Sequence, residues 1–112
     1  MADRRRSWRT EIALECTLHR RTGKVVEAQT LDLGPGGMRV KTNRPLAVDE
    51  TFEFELPDRA RINGRARVVN ERGYRVYGLR FENLGDEARA EIASLAKETA
   101  VDGAARAATP RS

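Results

Sequence analysis

Four arginines and a tryptophan fall within the stretch Arg4-Arg5-Arg6-Ser7-Trp8-Arg9. Clustered like charges repel, so such a segment is expected to stay flexible until an anion orders it. Guanidinium groups make bidentate contacts with phosphate, clasp the O6 and N7 edge of guanine, or stack flat on a base. The same residues would also suit a merely solvated basic terminus. A second concentration of chemistry lies at Asp32-Leu33-Gly34-Pro35-Gly36-Gly37. Glycines let a backbone approach a flat ligand closely. Asp32 offers a carboxylate that accepts hydrogen bonds from the N1 and N2 donors of guanine. The plainer reading of this stretch is a hairpin turn that Asp32 stabilises.

Catalysis finds little support. His19 is the only histidine and Cys16 the only cysteine. Alternation along their strand puts them on opposite faces, so they cannot form a nucleophile–base pair. No cluster has metal-ligand spacing. Glu53 and Glu55 point outward from one strand and are expected to pair with arginines of a neighbouring strand. The chain therefore reads as a non-enzyme, with no metal and no cofactor.

The elements that must position these residues follow from hydrophobic period. Ile12, Leu14, Cys16 and Leu18 alternate with Ala13, Glu15, Thr17 and His19, which predicts a half-buried strand. Arg21-Thr22-Gly23 turns the chain into a second strand, Lys24 to Leu33. Its alternation slips between Val26-Ala28 and Leu31-Leu33, the mark of a bulge or bend. After the glycine turn, Met38, Val40 and Thr42 share one face of a third strand, with Arg39 and Lys41 opposite. Phe52, Phe54 and Leu56 define a fourth strand, and Ile62, Gly64, Ala66 and Val68 a fifth. Tyr74 to Glu82 forms a sixth. The period then changes: Ala88, Ile92, Leu95 and Thr99 fall at helical spacing between Asp86 and about Ala100, with acids in the first turn. Six short strands followed by one helix predict an all-β-dominated fold, a small six-stranded antiparallel barrel with one C-terminal α-helix. Residues 1–11 read as a flexible basic segment, 12–100 as the folded domain and 101–112 as a disordered tail.

Composition agrees with one soluble domain: 112 residues, 39% hydrophobic, 34% charged and a formal net charge of +4. No apolar run approaches a membrane span, and the basic N-terminus is not followed by the apolar stretch of a secretory signal. With no internal disulfide possible, a reducing, cytoplasmic setting is expected. The basic balance points weakly toward an anionic partner.

Taken together, Arg5-x-x-x-Arg9 and, about two strands later, Asp32-x-Gly34-x-x-Gly37 resemble the PilZ domain, whose signature is RxxxR followed by (D/N)xSxxG. Gly36-Gly37-Met38-Arg39-Val40 resembles that family's strand after the turn, and Tyr77-Gly78-Leu79-Arg80-Phe81 its closing strand before the helix. The resemblance covers about residues 4 to 97. It implies a PilZ-type barrel that binds cyclic di-GMP and signals to a downstream protein of motility, pilus or polysaccharide machinery. By this likeness Arg5 and Arg9 would wrap onto guanine edges and phosphates, Asp32 would hold a guanine, and Gly37 would keep the turn tight. Arg4 stands at the position linked in the family to binding one ligand or a stacked pair, and an arginine there would favour the pair. Gly34 replaces the family serine, so one hydroxyl contact is missing, which the Gly34 amide or a water would have to replace.

Two other functions fit the residues. Arg59, Arg61, Arg65 and Arg67 could give a basic face for single-stranded nucleic acid. However, Phe52, Phe54 and Phe81 fall on inward positions, leaving Trp8 and one of Tyr74 or Tyr77 for base stacking, so nucleic acid is not the expected partner. The chain could also be a nucleotide-independent protein-interaction module.

Overall fold

The computed structural model describes residues 9–108, with side chains described from residue 9 to residue 98. In chain order it holds β1 (Thr10–Glu11), β2 (Glu15–His19), β3 (Val25–Leu33), β4 (Gly37–Thr42), β5 (Thr51–Glu55), β6 (Asn63–Gly73), β7 (Val76–Leu84) and α1 (Asp86–Ala108). A short 3₁₀ turn, Pro57–Arg59, links β5 to β6. The sheet runs β3-β2-β5-β6-β7-β4, and β4 pairs back onto β3, so six antiparallel strands close into the expected barrel. Closure leaves no long unpaired edge on any of these short strands.

The alternation predicted from sequence becomes the inside of the barrel. Leu18, Val26, Met38, Val40, Phe52, Phe54, Ala66, Val68 and Leu79 are all buried. Phe81 packs against this core, its ring stacked on Phe54 with centroids 5.2 Å apart. Tyr77 is buried as well, and its hydroxyl oxygen accepts the Leu46 amide at 3.1 Å. Ala88, Ile92 and Leu95 join the same core from α1, as their spacing predicts, whereas the side chain of Thr99 lies outside the described residues. The helix continues to Ala108, past the end near Ala100 that the apolar spacing suggests, so residues 101–108, read as tail, are helical. No helix among the described residues is long and apolar enough to cross a membrane.

The predicted slip in the second strand is a true bulge. Register shifts between Thr30 and Asp32, so Thr30 opposes Val40 and Asp32 opposes Arg39, with Leu31 the extra residue. Val26 and Leu33 can then both reach the core although the even number of residues between them would otherwise put them on opposite faces.

The first expected strand, residues 12–19, is a strand only over Glu15–His19, whereas Thr10 and Glu11, read as part of the flexible basic segment, form a separate short strand, and the two lie end to end along β3. β1 pairs Thr10 with Leu33 and Glu11 with Asp32, while β2 pairs with Val25 to Gln29. Thr30 patches the gap. Its buried Oγ1 donates to the Ile12 carbonyl at 2.6 Å and accepts the Leu14 amide at 2.9 Å. Thr30→Val should therefore leave two backbone groups without a partner and cost about 1–3 kcal/mol. Urea denaturation checks this, and an unchanged midpoint would mean that the strand break does not depend on the hydroxyl.

Candidate functional site

Pairing of β1 with the end of β3 sets Arg9, the last residue before β1, directly beside Asp32. The bulge at Leu31 turns Asp32 to the outer wall of the barrel, because plain alternation from Thr30 would have pointed it inward. Its carboxylate is almost fully covered. Oδ1 accepts Arg9 Nη1 at 3.0 Å and the Arg39 backbone amide at 3.1 Å, and Oδ2 pairs with Arg39 Nη2 at 3.0 Å. An ionised carboxylate has about four acceptor positions, so Asp32 can take roughly one more donor without releasing an arginine.

Next to this clasp, β4 and β7 meet in a checkerboard. Gly37 opposes Arg80, and Arg39 opposes Gly78. Each long side chain faces a bare Cα, which leaves a hollow between the arginines. Arg9, Asp32, Arg39, Asn70, Arg72 and Arg80 line the resulting cleft together with Gly34, Gly36 and Gly37, and its volume is about 630 Å³. This falls within the range of small-molecule sites, roughly 300–1,000 Å³. Volume alone does not single the cleft out, since a hollow beside Asp58 to Arg61 measures about 640 Å³. Chemistry does. The cleft sets four arginines against one carboxylate, and among the described residues Arg72 and Arg80 form no salt bridge.

The arginines of the basic stretch Arg59 to Arg67 are neutralised locally. Arg65 pairs with Glu53 at 3.2 Å, Arg67 with Glu82, and Arg61 with Glu87 at 3.7 Å. Arg59 reaches Glu91 at 3.1 Å and Glu98 at 3.0 Å, tying α1 to the 3₁₀ turn. The arginines of β6 are thus paired across strands and those before it with α1, and among the described aromatic rings only Tyr74 is exposed. Glu53 finds an arginine as expected. Glu55 instead meets His19 Nε2 at 3.3 Å, because its partner on β6 is Asn63 rather than an arginine and His19 stands on the neighbouring β2. Burial, then the nearby Glu55 charge, pushes the Cys16 thiol up to about 12, which suits a packed core residue and not a nucleophile.

Of the residues singled out from sequence, Arg9, Asp32, Gly34 and Gly37 come together on this one cleft. Arg4 and Arg5 lie outside the described residues. Gly37 sits there for a reason other than turn geometry. A Cβ on it would run into the Leu79 carbonyl oxygen of β7, so the glycine permits strand contact at the barrel seam. Gly34 is buried, and its amide already donates to the Gly37 carbonyl at 2.9 Å, so it is not available to replace the missing serine hydroxyl. Sequence reasoning missed Asn70, Arg72 and the site role of Arg39 and Arg80. A signal for the last two was present: Gly37-Met38-Arg39 and Gly78-Leu79-Arg80 repeat one glycine–apolar–arginine pattern on strands that prove to be partners.

The family model of the PilZ domain matches residues 3–98. The chain belongs to the PilZ family. No curated protein matches it. PilZ domains are cyclic di-GMP-binding modules and adaptors rather than enzymes, and nothing in the cleft shows a catalytic arrangement. The match spans both motifs, the barrel and the first half of α1.

Proposed function

We propose that this PilZ domain is a cyclic di-GMP receptor whose N-terminal arginine segment closes over the cleft when ligand binds and so changes the surface offered to a partner protein. One observation carries the reading: the residue that ends RxxxR, Arg9, is bonded to the residue that opens the glycine turn, Asp32, at 3.0 Å. Had the leader emerged at the far end of the barrel, the two motifs could not serve one ligand. From Arg9, an extended chain reaches Arg5 within about 14 Å, at roughly 3.5 Å per residue, so both arginines can span a single dinucleotide. With ligand bound, Arg4 and Arg5 would add their charges to a cleft that already carries four arginines. In this reading Arg5 and Arg9 take phosphate and guanine edges, Asp32 holds Arg9 and Arg39 in place and offers its remaining acceptor position to a guanine, and Gly34 supplies backbone contact only. Arg4 favours a stacked pair of ligands.

Ordering a charged leader opposes binding, and the missing serine hydroxyl removes a contact worth about 0.5–1.5 kcal/mol, or roughly three- to tenfold in affinity. Binding should therefore be weaker than the full motif would give, yet saturable. Calorimetric titration with cyclic di-GMP, beside a random single-stranded oligonucleotide, tests the reading. A saturable isotherm for the dinucleotide is expected, with a stoichiometry above one per chain if Arg4 acts as stated. Heat from the oligonucleotide alone, falling steeply with salt, would instead mark a nucleic-acid binder.

A further inference from the structure

Two buried polar atoms beside the cleft have no hydrogen-bond partner among the described residues: Arg39 Nε, a donor, and Asn70 Oδ1, an acceptor. They belong to residues on either side of Gly78, since Arg39 opposes Gly78 across β4–β7 and Asn70 opposes it across β6–β7. Asn70 owes this place to a register shift between Val68 and Asn70. Plain alternation would have aimed it into the barrel with Ala66 and Val68, whereas the shift re-aims it to the outer wall. There its Oδ1 lies over the bare Cα of Gly78, where a Cβ would come within 2.6 Å of it. A buried polar atom left without a partner lowers stability and calls for an explanation.

Resting on the cyclic di-GMP reading above, we infer that Arg39 and Asn70 form a donor–acceptor pair that selects guanine over adenine. Guanine presents an acceptor, O6, next to a donor, N1–H. A guanidinium N–H set beside an amide oxygen is complementary to that order. Adenine presents the reverse, an amino donor at position 6 next to an acceptor at N1. Arg39 has donors only, so it cannot adapt to the adenine amino group. Asn70 can turn its amide into the cleft, because the terminal torsion of asparagine is soft. Gly78 makes room for the row, since any side chain there would occupy the space of the Asn70 amide.

The test is calorimetry with cyclic di-GMP and cyclic di-AMP on the full chain and on Asn70→Leu, with thermal melting of both. The parent protein should prefer the guanine dinucleotide by about tenfold or more, the discrimination expected of one good polar pair reading a base. Asn70→Leu should lose about tenfold in cyclic di-GMP affinity and most of the preference, with an equal or higher melting temperature because an unpartnered polar atom has gone. An undiminished guanine preference in Asn70→Leu would overturn this assignment and leave the receptor reading standing. A parent protein that binds neither dinucleotide would overturn both. A fall in melting temperature alongside the affinity, repeated in Asn70→Ala, would make Asn70 a structural residue and likewise overturn the inference.

Discussion

Arg9→Ala should weaken cyclic di-GMP binding by at least about tenfold while leaving thermal stability almost unchanged. The two halves of this expectation come from different atoms. In the free protein the Arg9 side chain is 47% exposed and, among the described residues, its one side-chain bond is to Asp32 Oδ1. Its loss leaves the Asp32 carboxylate satisfied, because Oδ1 still accepts the Arg39 amide and Oδ2 still pairs with Arg39 Nη2. A half-exposed ion pair contributes about 0–1 kcal/mol, which is a shift of a few degrees at most. Bound to a phosphate or a guanine edge, the same guanidinium would supply a charge-assisted contact worth about 1.5–3 kcal/mol, or roughly ten- to 150-fold in affinity. Calorimetry and melting on one preparation separate the two effects. Unchanged affinity would falsify the role of Arg9, and a large drop in melting temperature would mean that the clasp to Asp32 serves the fold instead.

Much of the barrel was legible because a half-buried strand has a period of two. Phe52-Glu53-Phe54-Glu55-Leu56 alternates buried and exposed, and the bulge in β3 showed itself as a slip between Val26-Ala28 and Leu31-Leu33. The motifs that place Arg9, Asp32, Gly34 and Gly37 on one cleft could be read as text for the same reason: each is short and local. What could not be read was non-local. The pairing of β4 with β7 turns two distant glycine–apolar–arginine triplets into one wall, and no local periodicity reports that pairing. Asn70 was hidden by a second bulge, where the apolar run Val68-Val69 conceals the change of face that the slip in β3 revealed. Both polar side chains that the site needs most, Asp32 and Asn70, reach the outer wall because a bulge reverses the alternation before them. The irregularities of the strands, more than their regular parts, thus build the cleft. The break between β1 and β2 works similarly, since it is the separate short pairing of β1 that sets Arg9 against Asp32.

The largest loss of stability is expected from Gly37→Ala. A Cβ at this position meets the Leu79 carbonyl oxygen head-on, with the Arg80 Cα and the Leu79 carbonyl carbon each 3.2 Å away. All three are backbone atoms of a paired strand, so no rotamer change can relieve the contact. Either β4 and β7 part at the seam or the substitution is not accommodated. Overpacking relieved only by backbone movement typically costs about 1–3 kcal/mol and sometimes more, and a site with no flexible neighbour belongs at the upper end. For a domain of this size about 3 kcal/mol lowers the melting temperature on the order of 10 °C or more. Gly36→Ala is the matched control. Gly36 is exposed, has no positive backbone angle, and a Cβ there meets nothing within 4 Å, so its change should stay within about 0.5 kcal/mol. If Gly37 mattered only as a turn residue, the two variants would melt alike, and differential scanning calorimetry distinguishes the cases directly. The consequence for binding follows from the same geometry. Parting β4 from β7 would carry Arg39 away from Gly78 and Asn70 and strain its bonds to Asp32, so Gly37→Ala should lose ligand affinity together with stability, where Arg9→Ala loses affinity alone.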